Sequence, residues 1–401
     1  MSCASPVDGA VWDEGLLRSV IDELAAIPRL PTSAGERRAA HLICKRLEDL
    51  GCRAVVEEVP AYSSYAWPIG LLTATGAASA LLAARGRYRA VGVIGGTLAC
   101  LGIADDITGR WMVSRKSLMR SRTAHNVVAE IGDPNQRRVL CVLAHHDAAP
   151  SGLVFHQIIE EWLVRHFPKL VDRMTSNLPG WWLVVGGSAL VALGSAVGSR
   201  WLRRTGLVAS LLTTAAMVDI GRRPAVPGAN DNLSGVAAIL ALAHSLRAKP
   251  LANLRVILLS AGAEEALQEG IRGFARRHFP KLAKDGTWFV NLDAIGSGRL
   301  VLLEGEGPLR IHYYDEDFKE LVADCAKYMG IPLLRGLRSR NSTDGVVPSR
   351  YGYPTATIVS LDERKLIPNY HLDSDVPENV NYKSVGMGVR LVERVAHVLA
   401  H

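Results

Sequence analysis

Little in this sequence points to a stapled, fibrous or disordered chain. Its six cysteines (Cys3, Cys44, Cys52, Cys100, Cys141 and Cys325) are scattered, with no C-x-x-C pair. That argues against a cysteine zinc site and against a secreted disulfide scaffold, and it leaves them as reduced, mostly buried thiols. Gly and Pro number only 37 and 19 in 401 residues, and hydrophobic residues make up 48%. The first is too little for a collagen-like or low-complexity chain, the second too much for a disordered one. A sizeable core is therefore available without covalent staples. Charge of one sign is not in large excess either, since 46 Lys and Arg stand against 39 Asp and Glu, a net of +7. No basic run interleaved with aromatics and no helix-turn-helix or RNA-binding pattern occurs, so no nucleic-acid partner is expected. The opening M-S-C-A-S-P-V-D-G-A lacks both the basic start and the apolar centre of a secretory signal, and the N-terminus is expected to start in the cytosol.

What the chain does have is four uncharged apolar stretches in two pairs: residues 66–84 with 90–104, and 181–199 with 206–218. Short basic links join them, R-G-R-Y-R at Arg85 to Arg89 and R-W-L-R-R at Arg200 to Arg204. As helices rising 1.5 Å per residue, the first members would span about 28 Å and the second about 20 to 22 Å, against a hydrocarbon core of about 30 Å. Trp67, Trp111, Trp181, Trp182 and Trp201 lie at or near the ends of these stretches, where their amphipathic rings favour a lipid interface. Two inserted hairpins of transmembrane type, 66–104 and 180–221, are therefore expected, with membrane lipid as a partner and a multi-pass membrane location. Buried hairpins in a soluble protein are the competing reading.

Outside the hairpins, strands and helices alternate. Residues 35–50 carry helical spacing and end at Gly51, and residues 54–59 and 124–131 have strand character. Short branched apolar runs follow at 139–143, 255–260, 288–292 and 355–361, the pattern of strands covered on both faces. Helices are predicted at 233–247, 269–277, 316–329 and from 382 onward. The predicted fold is α/β, a mixed, largely parallel central sheet sandwiched by helices and interrupted by the two apolar hairpins. One catalytic domain spans 1–401.

Each buried run leads into polar chemistry. A-H-H-D-A (144–148) follows the first, A-G-A-E-E (261–265) the second and Asp293 the third, while the fourth leads to N-Y-H-L-D-S-D (369–375). G-A-N-D-N-L-S-G (228–235) precedes a helix. Ligand groups in open α/β folds converge beyond the carboxyl ends of strands, and His with carboxylates is the donor set of a zinc site.

Taken in chain order (A-H-H-D-A, G-A-N-D-N-L-S-G, A-E-E, N-L-D-A-I-G and Y-H-L-D-S-D), these five motifs resemble metallopeptidase family twenty-eight. Its members are co-catalytic zinc exopeptidases, among them aminopeptidases, glutamate carboxypeptidase and the glutaminyl cyclases. The resemblance covers residues 137–148 and 227–382 and leaves the hairpins outside. It implies two zinc ions per chain, with manganese or cobalt as alternatives. One would be held by His145 and Asp293, the other by Glu265 and His371, with Asp231 bridging. Glu264 is implied as general base to a water shared between the metals, and Asp147 as the carboxylate that orients His145. The implied activity is removal of single residues from peptide N-termini, on a peptide or aminoacyl substrate. Carboxypeptidase action would need a cationic clamp, for which Arg335, Arg338, Arg340 and Arg350 are available. A glutaminyl-cyclase-like acyl transfer and a non-catalytic receptor retaining the fold are the alternatives. His146 is expected to face away, Asp344 has even claims as a pocket residue, and Asp373 and Asp375 either support His371 or form a turn.

The chain departs from compact family members between Asp147 and Asp231, where the second hairpin and its flanks intervene. Residues 151–223 are expected to wall or roof the site, favouring short or lipid-proximal substrates. Both hairpins return to their starting side, so the catalytic core lies on one face of the membrane. Basic residues on the domain side (Arg110, Arg115, Lys116, Arg120, Arg122, Arg222 and Arg223) compete with those of the links in setting orientation. A cytosolic core is expected from the opening segment.

Overall fold

The structure, a computed structural model, describes residues 13–401. Cys3 and the opening segment lie outside the described residues. The chain begins with helices α1 (Glu14–Ala25) and α2 (Ala34–Asp49), the latter capped by the Ser33 side chain accepting from the Glu36 amide. Strand β1 (Arg53–Ala61) leads into α3 (Ala66–Ala83), α4 (Arg89–Thr108) and the short α5 (Val113–Leu118). Then come β2 (Arg122–Ile131), β3 (Val139–His145), α6 (Ile158–His166), α7 (Pro168–Arg173), α8 (Gly180–Ala196) and α9 (Arg200–Arg222). The remainder alternates: α10 (Ser234–Ala248), β4 (Arg255–Ala261), α11 (Glu269–His278), β5 (Thr287–Leu292), β6 (Arg299–Leu302) and α12 (Glu316–Tyr328). It closes with β7 (Leu333–Leu334), α13 (Val346–Arg350), β8 (Thr355–Leu361) and α14 (Tyr382–Leu399).

The strands form one mixed sheet in the order β1-β2-β4-β3-β5-β8-β6-β7, parallel through β4, β3, β5 and β8. Its central strands are buried on both faces, and alternate residues go to different cores. Leu140, Val142 and Ala144 of β3 pack with α1, α2, α10 and α14, whereas Val139, Cys141 and Leu143 pack with α11 and α13. That division is why these strands read as unbroken apolar runs rather than alternating ones. Because β3, β4 and β5 run parallel and in register, His145, the segment after Ala261, and Asp293 emerge side by side. Four cysteines, Cys44, Cys52, Cys141 and Cys325, are buried.

The two hairpins pack together as a single four-helix bundle, α3, α4, α8 and α9 each flanked by two of the others, with α3 also touching α8. Two boundaries differ from the sequence reading. The second turn is at residues 197–199, so the R-W-L-R-R stretch is the start of α9 and not the link. Arg203, in the first turn of α9, and Arg89 instead donate to the carbonyls of Gly194, Ser195 and Ala196 at the end of α8, where a helix leaves acceptors unmet. The second member of each pair is also longer than its apolar stretch, because α4 and α9 run on through charged ends. With 20 and 23 residues they reach about 30 and 35 Å. Among the described residues, two helices, Ala66–Ala83 and Arg89–Thr108, are long and apolar enough to cross a membrane, and α8 is apolar but shorter.

Small residues make the closest crossings of the bundle, whereas Ile69, Ile103, Ile107, Met217 and Ile220 fill its end nearest the catalytic domain. A Cβ on Gly96 would lie 2.7 Å from the Ala192 nitrogen, and one on Gly206 would lie 2.7 Å from both the Gly187 oxygen and the Val191 nitrogen. Ser188, Ser195 and Ser210 are buried beside them, while Leu98, Leu183, Leu193 and Leu212 point outward. Overpacking at such a crossing costs about 1–3 kcal/mol. Gly206→Leu is therefore expected to lower the thermal midpoint of the detergent-solubilised protein clearly. Leu212→Ala on the outer face is expected to leave it within about 0.5 kcal/mol, both read by scanning fluorimetry.

Candidate active site

Four loops at the carboxyl edge of the sheet bring the predicted residues together. His145 ends β3, Glu264 and Glu265 follow β4, Asp293 follows β5, and His371 comes from the loop after β8. Asp231 enters from the segment before α10, and every one of these six is less than a tenth exposed. Asp231 lies between the two imidazoles: its Oδ1 is 3.3 Å from His145 Nε2 and its Oδ2 3.3 Å from His371 Nε2. Glu265 Oε1 sits 3.3 Å from His371 Nε2, and Glu264 Oε2 4.0 Å from His145 Nε2. His145, Asp231 and Asp293 form one group of converging donor atoms, and Asp231, Glu265 and His371 another, each within 4.8 Å.

Local backbone places these groups under tension. Ala263, Leu267, Gln268, Ala294 and His371 all hold positive φ, between 50° and 69°, which non-glycine residues seldom adopt. Such conformations persist only where surrounding contacts over-determine them. Here the contacts come from buried polar side chains. Asp147 accepts the amides of Glu264 (2.9 Å) and Glu265 (3.0 Å), so it fixes the loop that carries both glutamates. Its own carbonyl lies 3.2 Å from His145 Nδ1 and its carboxylate 3.6 Å, so orienting the imidazole is shared between the two. Asp375 does the same for the bridging residue, accepting from the amides of Asn230 (2.8 Å) and Asp231 (3.0 Å). Asn232 links that segment to the Asp293 loop, donating to Leu292 O and accepting from Ala294 N.

Two supporting residues carry no recognisable sequence signal. Arg29, fully buried, donates to the carbonyls of His146, Leu24, Ile27 and Gly228, tying the β3 loop to the Asp231 segment. Burial lowers its pKa to about 10, against the pull of Asp147 and Asp375, so the guanidinium stays charged. Gly228 permits this approach: it has φ +59°, and a Cβ there would meet Asp231 O at 2.7 Å and the Arg29 guanidinium at 2.9 Å. Gln268 is the other, its amide donating to Glu264 Oε1 and to Ser342 O, both at 3.0 Å. A lone Arg between prolines and a Gln in a loop give pattern reasoning nothing to hold.

Other candidates lie apart from the cluster. His146 turns away from it, bonding Ser260 Oγ at 3.0 Å; burial lowers its pKa to about 3, so it stays neutral. Asp373 is exposed, whereas Asp344 is buried with neither oxygen partnered, and burial raises its carboxyl to about 7. Of the four arginines, Arg335 is engaged by Glu304 and Glu320, Arg338 by Tyr313 and Thr175, and Arg350 by the Thr108 carbonyl.

The donor set fits a pair of divalent cations. Glu265 Oε1 and His371 Nδ1 are buried with no hydrogen-bond partner, and three carboxylates share the cavity with two imidazoles. Such carboxylates do not ionise together in a dry site unless positive charge is supplied. Burial drives Glu264 and Asp293 well above their usual range, while Asp231 is held low, against burial, by its two histidines. Burial opposes protonation of the histidines too, yet Asp147 and Asp231 hold His145 well up, and Glu265 and Asp231 hold His371 at about 10. Without metal the cluster thus carries protons on both imidazoles at neutral pH, and these must leave on ligation. Titrating zinc into metal-free protein near pH 7 is expected to release about two or more protons per chain, read from calorimetry in buffers of different ionisation enthalpy.

The family model described as "Peptidase family M28" matches residues 213–396. The match begins inside α9, so His145 and Asp147 lie upstream of it, cut off by the 151–223 excursion. No curated protein sequence matches the chain. Solved structures share the fold at low identity. A glutaminyl cyclase from Bacteroides thetaiotaomicron superposes with a TM-score of 0.58 at 14% identity, over 97% of this chain and 99% of that one. A leucine aminopeptidase precursor from Bacteroides thetaiotaomicron gives 0.57 at 14%, covering 98% and 99%. A Bacillus subtilis zinc aminopeptidase gives 0.55 at 14%, covering 96% and 95%. The chain therefore shares the α/β fold of these zinc aminopeptidase and glutaminyl cyclase structures.

Proposed function

We propose that this protein is a membrane-anchored zinc aminopeptidase. The observation that carries the catalytic reading is the placement of Asp231 between two imidazoles, each with a further carboxylate close by. His145, Asp231 and Asp293 would hold one zinc ion, and Asp231, Glu265 and His371 the other. When bound, the ions polarise the scissile carbonyl and lower the pKa of water. Glu264, whose carboxylate also comes within 4.8 Å of donor atoms of His145 and Glu265, takes the proton from the attacking water and later delivers it to the departing amine. Asp147 and Gln268 keep its carboxylate aimed into the cavity. Aminopeptidase polarity draws some support from Arg335, Arg338 and Arg350, whose side chains are engaged elsewhere, which leaves Arg340 as the cation available to clamp a terminal carboxylate.

The membrane reading is supported by the bundle's inverted packing. Gly, Ala and Ser line its closest crossings, many of its leucines face outward although Ile69, Ile103, Met217 and Ile220 are buried toward the catalytic domain, and Trp67, Trp111 and Trp182 are exposed at that end. Helices in lipid associate through close small-residue packing and leave large apolar side chains to the acyl chains. A soluble bundle would reverse that arrangement.

The likeness to glutaminyl cyclases keeps cyclisation of N-terminal glutamine as the second reading. Both are tested on detergent-purified protein by zinc content and by turnover of aminoacyl amides, carboxyl-terminal substrates and N-terminal glutaminyl peptides. Two zinc ions per chain with release of N-terminal residues is the expected result. Cyclisation without hydrolysis would select the second reading, and neither zinc nor turnover would leave a receptor that kept the fold.

A further inference from the structure

Between β3 and the bundle runs a segment with no part in the chemistry proposed for the site. From Leu153 to Arg173 it crosses in front of the cluster, and both of its ends are fixed at the base of the bundle. The Leu153 amide donates to Asp219 Oδ2 at 2.8 Å near the end of α9, and beyond residue 179 the chain becomes α8. Its inner side grips the loops that carry the site. Phe155 sets its ring edge against His371, with centroids 4.5 Å apart, and Gln157 donates to Ile367 O at 2.9 Å. Glu161 pairs with Arg364, and Lys365 donates to the carbonyls of Val171, Asp172 and Met174 at the end of α7. Just past the strap, Thr175 O accepts from Arg338 N, and Asn177 accepts from Arg340 N.

Among the described residues, the outer side has no protein partner. No residue of α6 or α7 is buried, and Leu153, Ile158, Ile159 and Trp162 are 65, 72, 64 and 51% exposed. Phe167 and Leu170 are exposed too, and Trp162 stacks loosely on His166 and Phe167 to form an aromatic ledge. Apolar groups so concentrated on a soluble surface mark an interaction site. Aromatic and branched side chains on a short amphipathic helix are what the boundary between headgroups and acyl chains accepts.

A second exposed apolar group lies just past the end of α4. Trp111, Val113 and Leu118 are exposed, and the stretch 110–122 that holds them carries Arg110, Lys116, Arg120 and Arg122 on the surface with no acidic residue. The strap itself is neutral, Arg165, Lys169 and Arg173 being balanced by Glu160, Glu161 and Asp172. Its seat is therefore apolar and aromatic, and attraction to negative headgroups comes from the neighbouring basic stretch.

We propose that the strap Leu153–Arg173 is an interfacial roof, seated in the headgroup layer of an anionic bilayer, through which the site receives peptides tethered at the membrane surface. This rests on the membrane and peptidase readings proposed for the chain. A tethered peptide meets the opening at a raised effective concentration, whereas a free peptide must approach around the lipid.

The full chain, reconstituted in vesicles of phosphatidylglycerol and phosphatidylcholine in equal parts, decides it. A photo-crosslinking benzophenone residue replaces in turn Ile159, Trp162, Leu98 on the outer face of the bundle, and Val55 on edge strand β1. Lipid adducts at Ile159, Trp162 and Leu98 but not at Val55 are expected. Adducts at Leu98 alone overturn the roof and leave the anchored bundle standing, and adducts at none of the four overturn the membrane reading itself. A crosslinked dimer through Ile159 or Trp162 overturns the proposal in favour of a second copy covering the patch. In the same vesicles, kcat/KM for a peptide carrying a C-terminal lipid anchor is expected to exceed that of the unanchored peptide by about tenfold. Ile159→Glu combined with Trp162→Glu is expected to remove that preference. A ratio near one in the wild type overturns the tethered-substrate proposal, while cleavage of neither peptide counts against the peptidase reading and leaves the crosslinks to decide the roof.

Discussion

Glu264→Gln is expected to cut kcat by about 10³-fold while zinc content stays unchanged. A positioned general base contributes about 10²–10⁴-fold, and the amide keeps the shape of the side chain but cannot take a proton. Its remaining carbonyl oxygen still accepts from the Gln268 amide, which in the wild type sits 3.0 Å from Glu264 Oε1. The loop should therefore hold its place, and the loss should fall on turnover. The pH profile separates the roles further. Burial raises the Glu264 carboxyl, and the nearby His145 opposes that shift. The wild-type rate should fall toward acid as Glu264 gains its proton, whereas the residual rate of Glu264→Gln should lack that limb. Zinc lost together with activity would make Glu264 a ligand and move the base elsewhere.

The position of Glu264 and Glu265 just beyond a buried apolar strand is legible in the sequence, but the extended segment expected to make their side chains diverge is instead a bend and turn that begins at Ala263, with φ +54°. The sheet is legible too: residues 139–143, 255–260 and 288–292 are too short for helices and too continuously apolar for a half-exposed strand. The supporting framework is not. Arg29 and Gln268 act through single long-range hydrogen bonds to backbone and carboxylate groups, and such bonds leave no periodicity in the chain. Helix ends in the bundle depart from the ends of the apolar stretches because composition marks where charge begins, whereas the backbone continues until its carbonyls are capped. Thus Arg200–Arg222 starts inside the apparent link. That the two hairpins share one bundle is equally hidden, since their contact is made by Gly and Ser whose sequence signal is only smallness.

Arg115→Met is expected to cost about 3–5 kcal/mol of stability, the second large effect. Arg115 is fully buried between the bundle and the catalytic loop. It donates to both Asp106 oxygens, at 3.0 and 2.8 Å near the end of α4, and to Glu269 Oε1 at 3.3 Å, where α11 begins. It also donates to the carbonyl of Ala266, one residue beyond Glu265 and directly before Leu267 and Gln268, both at positive φ. Methionine leaves two buried carboxylates without their cation, and Arg115→Lys restores the charge but not the fork that serves three acceptors. A neutral set, Asp106→Asn with Arg115→Met and Glu269→Gln, should regain most of the thermal midpoint, because replacing a whole buried ion cluster is often close to neutral. Turnover should stay several-fold low in that set, since Ala266 still lacks its donor and Glu264 loses its fixed aim. Full recovery of both would reduce Arg115 to a stabilising contact. Stability regained without turnover would show that the helix bundle, through this one guanidinium, holds the general base in position.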